Sequence, residues 1–248
     1  MALELAHEAG MLLMSQLQGP LNIEEKGRRA DLVTDADRAS ERLIVERLRK
    51  DFPASTILGE ETGMHAGTSN ERWIIDPLDG TTNFAHGYPP FCVSIAFERA
   101  GVLCAAVVYA PFFNECFAAE KGSGARLNDA VIAVSKIDRI SNALVCTGFH
   151  PADYARNGVH FESMSQRAQG VRRDGSAALD LAYVAGGRFD GFWEFDLSVW
   201  DVAAGALLIT EAGGRVSSID GSPLDLTAGS ILASNGLIHV QMRELLAA

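Results

Sequence analysis

Asp76 and Asp79 lie three residues apart in the string Trp73-Ile-Ile-Asp76-Pro-Leu-Asp79-Gly80-Thr81-Thr82-Asn83-Phe84, where an apolar run delivers two carboxylates into a Gly-Thr-Thr turn. Oxygen ligands of this kind suit hard divalent cations. Pro77 fixes its own φ and biases Asp76 towards extended backbone, while Gly80 permits a ligand to approach the main chain closely. If Gly80 to Asn83 opens a short helix, its unbonded N–H groups and positive dipole end make a phosphate seat beside the carboxylates. The same two aspartates could instead be a turn residue and a helix N-cap. By itself the spacing leaves both readings open.

Three further acidic stretches bear on that choice. Gly59-Glu60-Glu61-Thr62 follows a short apolar run, Trp200-Asp201 opens an Ala/Leu-rich segment, and Asp31-Leu-Val-Thr34-Asp-Ala-Asp37 precedes a helical pattern. Each has a plain alternative: Glu61 as a solvated loop charge, Asp201 as a helix cap, and Thr34 with Asp37 as a capping box. Together with Asp76 and Asp79 they point to an oxygen-ligated metal centre. The six histidines (His7, His65, His86, His150, His160 and His239) form no H-x-x-x-H or H-x-H pair, so magnesium or manganese is expected rather than zinc. Gly-x-Ser-x-Gly and G-x-x-x-x-G-K-[ST] are both absent, which disfavours a serine nucleophile and a P-loop enzyme. Hydrolysis by metal-activated water remains.

Helices and strands must hold these groups. Leucines and alanines at helical spacing predict an amphipathic helix over residues 2–17, stopped by Gly19-Pro20, and a second from Ala36 to Arg49, closed by Phe52-Pro53. Thr56 to Leu58 and Trp73 to Ile75 read as short strands. Phe91–Phe97 and Val102–Tyr109 read as a hairpin about Glu98-Arg99-Ala100-Gly101, and Glu115 to Ala119 as a further strand. The first half is thus expected to be helices followed by a largely antiparallel sheet. Beyond it, strands are expected at Leu144–Thr147, Phe192–Phe195, 215–218 and 231–233. Helices are expected at Tyr154–Gln169, Ser176–Ala185, Val202–Ala212 and Leu237–Leu246. This makes an α+β half (1–138) and an α/β half (139–248) of one domain spanning 1–248, with a soft boundary near 135–142.

With 248 residues, 48% of them hydrophobic, the chain can bury a large core. A net charge of −11 repels phosphate backbones, so direct nucleic-acid binding is not expected. Cys92, Cys104, Cys116 and Cys146 sit in apolar runs without C-x-x-C spacing and read as buried thiols. The first residues lack the basic start of a signal peptide, and no apolar run is long enough for a membrane span. A soluble, cytoplasmic protein is the expectation.

Gly59-Glu-Glu-Thr62, the string from Trp73 to His86, and Trp200-Asp201-Val-Ala-Ala-Gly205 through Glu211-Ala-Gly-Gly214 resemble the inositol monophosphatase family of magnesium-dependent, lithium-sensitive phosphatases. The resemblance spans nearly the whole chain. The run from Arg172 through Gly175 to Asp190-Gly191 is similar to bacterial inositol-1-monophosphatases, some of which also associate with transcription antitermination proteins. The family implies a layered αβαβα sandwich, in most members a homodimer. It implies a first Mg²⁺ on Glu60, Asp76 and the Leu78 carbonyl, a second on Asp76, Asp79 and Asp201, and a third ion near Glu60, with Mn²⁺ as a substitute. Thr81 paired with Asp37 would orient the attacking water, and the N–H groups of Gly80 and Thr81 would bind phosphate. Asp79, Gly175, Ser176, Ala177, Glu194 and Asp201 match polyol-contacting positions, and Arg172 a substrate-proximal arginine. At Ser176 helix capping stays an equal reading, and at Arg172 and Arg173 a surface or dimer-interface role does. The implied substrate is a small phosphorylated polyol or sugar, inositol 1-phosphate first. Fructose 1,6-bisphosphate, histidinol phosphate and 3′-phosphoadenosine 5′-phosphate are the rivals. Asp196, in Glu194-Phe-Asp196-Leu-Ser-Val-Trp200, departs from the Glu-Met-Gly-type run of animal members and adds an acid near the expected sugar site. The early start of the first helix bears on the loop near Lys26.

Overall fold

The computed structural model describes residues 1–17, 19, 22–25 and 32–247, so the expectations touching Pro20, Lys26 and Asp31 lie outside the described residues. Helix α1 (Ala2–Gln16) buries the stripe Leu5, Ala6, Ala9 and Leu13. Strands β1 (Ile23–Glu25) and β2 (Leu32–Thr34) form a small antiparallel ribbon leading into α2 (Asp35–Asp51). That helix begins one residue before the expected position because Thr34 and Asp37 close a capping box.

The large sheet is built from β3 (Thr56–Gly59), β4 (Gly63–His65), β5 (Glu71–Asp79), β6 (Cys92–Arg99), β7 (Val102–Ala110), β8 (Glu115–Glu120), β9 (Ala125–Leu127) and β10 (Ala130–Ile132). Helix α3 (Thr81–Ala85) interrupts it between β5 and β6. The strand order is β10-β9-β8-β7-β6-β5-β3-β4. All neighbours are antiparallel except β3 and β5. That parallel pair matters for the site: both strands run the same way, so Glu60 just beyond β3 and Asp76 to Asp79 at the end of β5 emerge at the same edge. The expected hairpin turn is there, with Ala100 (φ 51°) and Gly101 (φ 78°) both left-handed, as a two-residue hairpin loop requires. The β9–β10 hairpin, turning at Asn128-Asp129, escaped the sequence reading because its strands are only three residues long and largely exposed.

The second sheet comprises β11 (Leu144–Thr147), β12 (Gly170–Arg172), β13 (Gly191–Phe195), β14 (Arg215–Ser217) and β15 (Ser230–Ser234), in the order β12-β11-β13-β15-β14. Between its strands lie α4 (Tyr154–Ser165), α5 (Ala177–Ala185) and α6 (Val199–Glu211), and α7 (His239–Leu246) follows β15. All four helices shift at an end from expectation, α5 and α7 by one and two residues at their starts, α4 and α6 by more. α4 stops at Ser165 rather than Gln169, and α6 starts at Val199 rather than Val202, because Ser198 and Asp201 form a capping box one turn earlier.

Period-two alternation along the strands sorts the core into layers. On one face of β5, Trp73 and Ile75 pack with Leu5, Leu13, Ile44 and Leu48 of α1 and α2. On the other, Ile74 joins Leu181 and Leu208 of α5 and α6, which also cover Phe192 and Ala233 of the second sheet. The far face of that sheet, through Trp193 and Leu232, packs on Met164 of α4 and Met242 of α7. The layers are therefore αβαβα. Gly205 lets the central helices approach: a Cβ there would fall 2.4 Å from that of Leu181. Cys92, Cys116 and Cys146 are buried, whereas Cys104 is partly exposed. No helix among the described residues is long and apolar enough to cross a membrane.

Candidate active site

The end of β5 turns through Asp76, Pro77, Leu78 and Asp79 into Gly80, whose φ of 94° is left-handed and whose missing Cβ would lie 2.9 Å from the Pro90 carbonyl oxygen. Only glycine suits that position. α3 starts immediately after, at Thr81, with Gly80 in the N-cap position, so Asp79 does not cap it. The Leu78 N–H bonds the Asp76 carboxylate at 3.0 Å, which closes the turn.

Asp79 is fixed from across the molecule. Its Oδ2 accepts from the Ser176 hydroxyl and from the Ala178 N–H, both at 2.7 Å. Of the two readings held for Ser176, the capping one is thus reversed. Ser176 occupies the N-cap of α5 without a side-chain cap bond, and the carboxylate of Asp79 serves the helix end instead. Asn83 ties the same loops together by donating to the carbonyls of Pro90 and Asp174 at 2.6 and 2.7 Å.

Asp37 uses both oxygens. Oδ2 accepts from the Thr34 N–H and hydroxyl, completing the capping box, and Oδ1 accepts from the Thr81 hydroxyl at 2.9 Å. The cap and site readings of Asp37 are therefore compatible. Thr81 Oγ also lies 3.1 Å from the Leu78 carbonyl oxygen. Asp201 likewise accepts from the Ser198 N–H at 2.7 Å while facing the other acids.

Burial raises the carboxyl of Asp76 well above its ordinary range, and the charges of Glu60, Asp79 and Asp201 push the same way. Asp201 is raised well above its usual value by burial and then by Asp79 and Glu60. Asp79 is also raised by burial, against the lowering effect of Ser176 and the amides of Ala177 and Ala178. The leading influences on these three are burial, one another, Glu60 and hydrogen-bond donors around them. Four acids from β5, the turn after β3 and the start of α6 thus crowd one corner. Among the described residues no three acidic, histidine or cysteine side chains are already drawn around a common point, so they are neighbours rather than a closed cage. A donor set of carboxylate oxygens that repel one another fits a hard divalent ion.

Glu194, near the end of β13, is raised well above its normal range by burial and by the charges of Asp201 and Asp79, with Arg173 opposing. Its carboxylate leaves no room for a side chain at position 148, since a Cβ on Gly148 would lie 2.3 Å from Oε2. Gly175, with φ 82°, leads from Asp174 into the α5 N-terminus. Arg172 is exposed on the edge strand β12 and bonds the Val171 carbonyl. It is Arg173, stacked over Phe149, whose charge acts on Glu194. Asp196 adopts left-handed backbone (φ 61°) and is paired with Arg156 on α4, and its charge adds to the rise of the Glu194 carboxyl.

Residues 1–248 match the sequence profile described as the inositol monophosphatase family. The chain belongs to that family. It is 46% identical to the inositol-1-monophosphatase of Synechocystis sp., over 99% of this chain and 88% of the relative. It is equally identical, 46%, to the Nus factor SuhB of Pseudomonas aeruginosa, over 94% and 90%. The crystal structure of the extragenic suppressor protein suhB from Bartonella henselae superposes with a TM-score of 0.95 at 40% identity, covering 98% of this chain and 96% of that one. The fold is therefore the inositol monophosphatase type. Members of this family are metal-dependent phosphomonoesterases.

Some residues that shape the corner were not singled out in the sequence. Ser40 of α2 donates to the Pro77 carbonyl at 2.8 Å, and Glu41 accepts from the loop that carries Glu60. Their signal, polar residues on the buried face of an amphipathic helix, was available but has no fixed partner in sequence.

Proposed function

We propose that this chain hydrolyses a small phosphate monoester, with inositol 1-phosphate as the leading substrate, through attack by a water molecule. The observation that carries the reading is the convergence of Glu60, Asp76, Asp79 and Asp201 beside the Thr81–Asp37 hydrogen bond. Two or three Mg²⁺ ions, or Mn²⁺ in their place, held by those four acids and the Leu78 carbonyl, would neutralise phosphate charge and acidify water.

The chain's own residues then supply geometry. The single hydrogen of the Thr81 hydroxyl, given to Asp37, leaves its lone pairs free to accept from a water and aim it; Asp37 is the sink for the proton passed through Thr81. The N–H groups of Gly80 and Thr81 open α3 without helical partners and face the phosphate oxygens. Glu194 and the Gly175-Ser176-Ala177 turn accept and donate to polyol hydroxyls. Arg173, with Arg172 nearby on β12, moderates the charge there.

We read residues 1–248 as one working unit and the active form as a homodimer. The test is turnover of inositol 1-phosphate, fructose 1,6-bisphosphate, histidinol phosphate and 3′-phosphoadenosine 5′-phosphate at fixed Mg²⁺, with and without chelator and Li⁺. Inositol 1-phosphate should be hydrolysed fastest, and chelator and Li⁺ should each suppress it. Chelator-insensitive hydrolysis would sink the reading.

The equal identity to a protein named Nus factor SuhB favours a second reading, in which a surface of the chain binds transcription antitermination proteins. A folded, inactive Asp79→Asn variant that still rescues a deletion phenotype would favour that reading over hydrolysis.

A further inference from the structure

Helix α2 buries three polar side chains, Asp37, Ser40 and Glu41, each with no solvent exposure. At positions i, i+3 and i+4 they share one face. Buried polar groups are costly unless bonded, and each of these reaches a different segment of the site: Asp37 the Thr81 hydroxyl, Ser40 the Pro77 carbonyl, Glu41 the turn after β3.

The last contact is the most extensive. Glu41 Oε2 accepts from the Glu61 N–H at 2.8 Å. Oε1 accepts from the Thr62 N–H at 2.7 Å and from the Thr62 hydroxyl at 2.5 Å. The fit extends to Gly59, where a Cβ would lie 2.6 Å from the Glu41 carboxyl carbon. Glu60 is thus flanked on one side by a glycine that exists to admit Glu41, and on the other by two amides that Glu41 holds.

The clamp is itself braced from the surface. The hydroxyl hydrogen of Thr62 is spent on Glu41, so the 2.6 Å contact between Thr62 Oγ and His65 Nε2 requires the imidazole to donate. His65 Nδ1 is then the acceptor for Arg49 Nη2 at 2.9 Å, Arg49 standing on the same helix as Glu41. Donation runs one way, from Arg49 through His65 and Thr62 to Glu41.

We propose that Glu41 is a positioning residue that sets where Glu60 stands relative to Asp76, so that cation affinity at the acidic corner depends on a carboxylate that never touches the cation. This rests on the reading of Glu60 as a metal ligand. Because Asp37 and Glu41 are one helical turn apart, α2 also fixes the proton-accepting pair and the metal-ligand turn to a common frame.

The experiment compares full-length wild type, Glu41→Gln, Thr62→Val and Glu60→Gln. Mn²⁺ binding is measured by electron paramagnetic resonance without substrate, the Mg²⁺ concentration for half-maximal activity is measured separately, and circular dichroism monitors the fold. Gln presents a donor where one of the two amides needs an acceptor, so Glu41→Gln should weaken Mn²⁺ binding about 10-fold or more, as loss of an outer-shell partner does. Its kcat at saturating Mg²⁺ should stay within a few-fold of wild type. Thr62→Val keeps both amide bonds to Glu41 and should shift metal binding in the same direction by less; it carries the test if Glu41→Gln fails to fold. Glu60→Gln should weaken binding at least as much. Unchanged Mn²⁺ affinity in folded Glu41→Gln, or in Thr62→Val if the former does not fold, overturns the proposal while a weakened Glu60→Gln leaves the metal-site reading standing. Unchanged affinity in Glu60→Gln removes the reading of Glu60 as a ligand and the proposal with it.

Discussion

Thr81 Oγ donates to Asp37 Oδ1 across 2.9 Å, joining the first turn of α3 to the first turn of α2, 44 residues earlier in the chain. The same aspartate closes the capping box of its own helix, so its carboxylate is oriented by local backbone before it meets the threonine. Thr81→Val removes the hydroxyl and keeps the shape. Turnover should fall by about 10²–10⁴, the range for loss of a positioned proton-transfer group, whereas Thr81→Ser should recover most of it. Steady-state kinetics at saturating Mg²⁺ decide this, and equal kcat in the valine variant would remove Thr81 from the mechanism.

Asp201 contributes to a corner where like charges raise one another's pKa. Asp201→Asn relieves that repulsion and still offers an oxygen to the Ser198 N–H. In chelator the variant should melt higher than wild type, by about 2–4 °C for each kcal/mol of relieved repulsion. With Mg²⁺ it should lose nearly all activity and most of the metal-induced rise in melting temperature. Calorimetry in chelator and in Mg²⁺ separates the two effects.

His239 is buried between the hydroxyls of Ser217 and Ser234, each 2.9 Å away. Burial, helped by Arg215 and Arg243, lowers its pKa from 6.5 to about 4. The unfolded chain therefore binds a proton that the folded chain does not over that window. The resulting stability is complete above pH 6.5 and declines as pH falls towards about 4, at a limiting slope near 1.4 kcal/mol per pH unit. Urea melts at pH 7 and pH 4.5 should show this loss, and His239→Gln should have a shallower dependence. An identical slope in the variant would assign the loss to other groups.

Gly205 has no room for a methyl group against Leu181. Gly205→Ala forces α5 and α6 apart at the middle layer, an overpacking that costs about 1–3 kcal/mol. Thermal melts check this directly. Since Ala178 at the start of α5 holds Asp79, activity should fall along with stability.

The glutamate of the Glu211-Ala-Gly-Gly214 signature illustrates how far a motif reaches. Its spacing from Trp200-Asp201 marked the family, yet its carboxylate sits outside the acidic corner, where it accepts from the N–H groups of Gly122 and Gly124 at 2.9 Å and pins the β8–β9 turn. Asp201 in the same stretch does face the acids. A string of residue types does not separate these two tasks.

The amino-acid sequence by itself determined what short-range forces decide. Helical periodicity, the Thr34–Asp37 box and the tight turn at Gly101 all act within a few residues, and so does the delivery of Asp76 and Asp79 from one strand end. Tertiary structure decided which distant groups meet. The parallel pairing of β3 with β5 brings Glu60 to Asp76, the packing of α5 on the large sheet gives Asp79 to Ser176 and Ala178, and the buried face of α2 gives Glu41 to the loop around Glu60. Those partners are fixed by the order of strands and layers as they bury apolar surface together, a property of the whole chain that no local pattern contains.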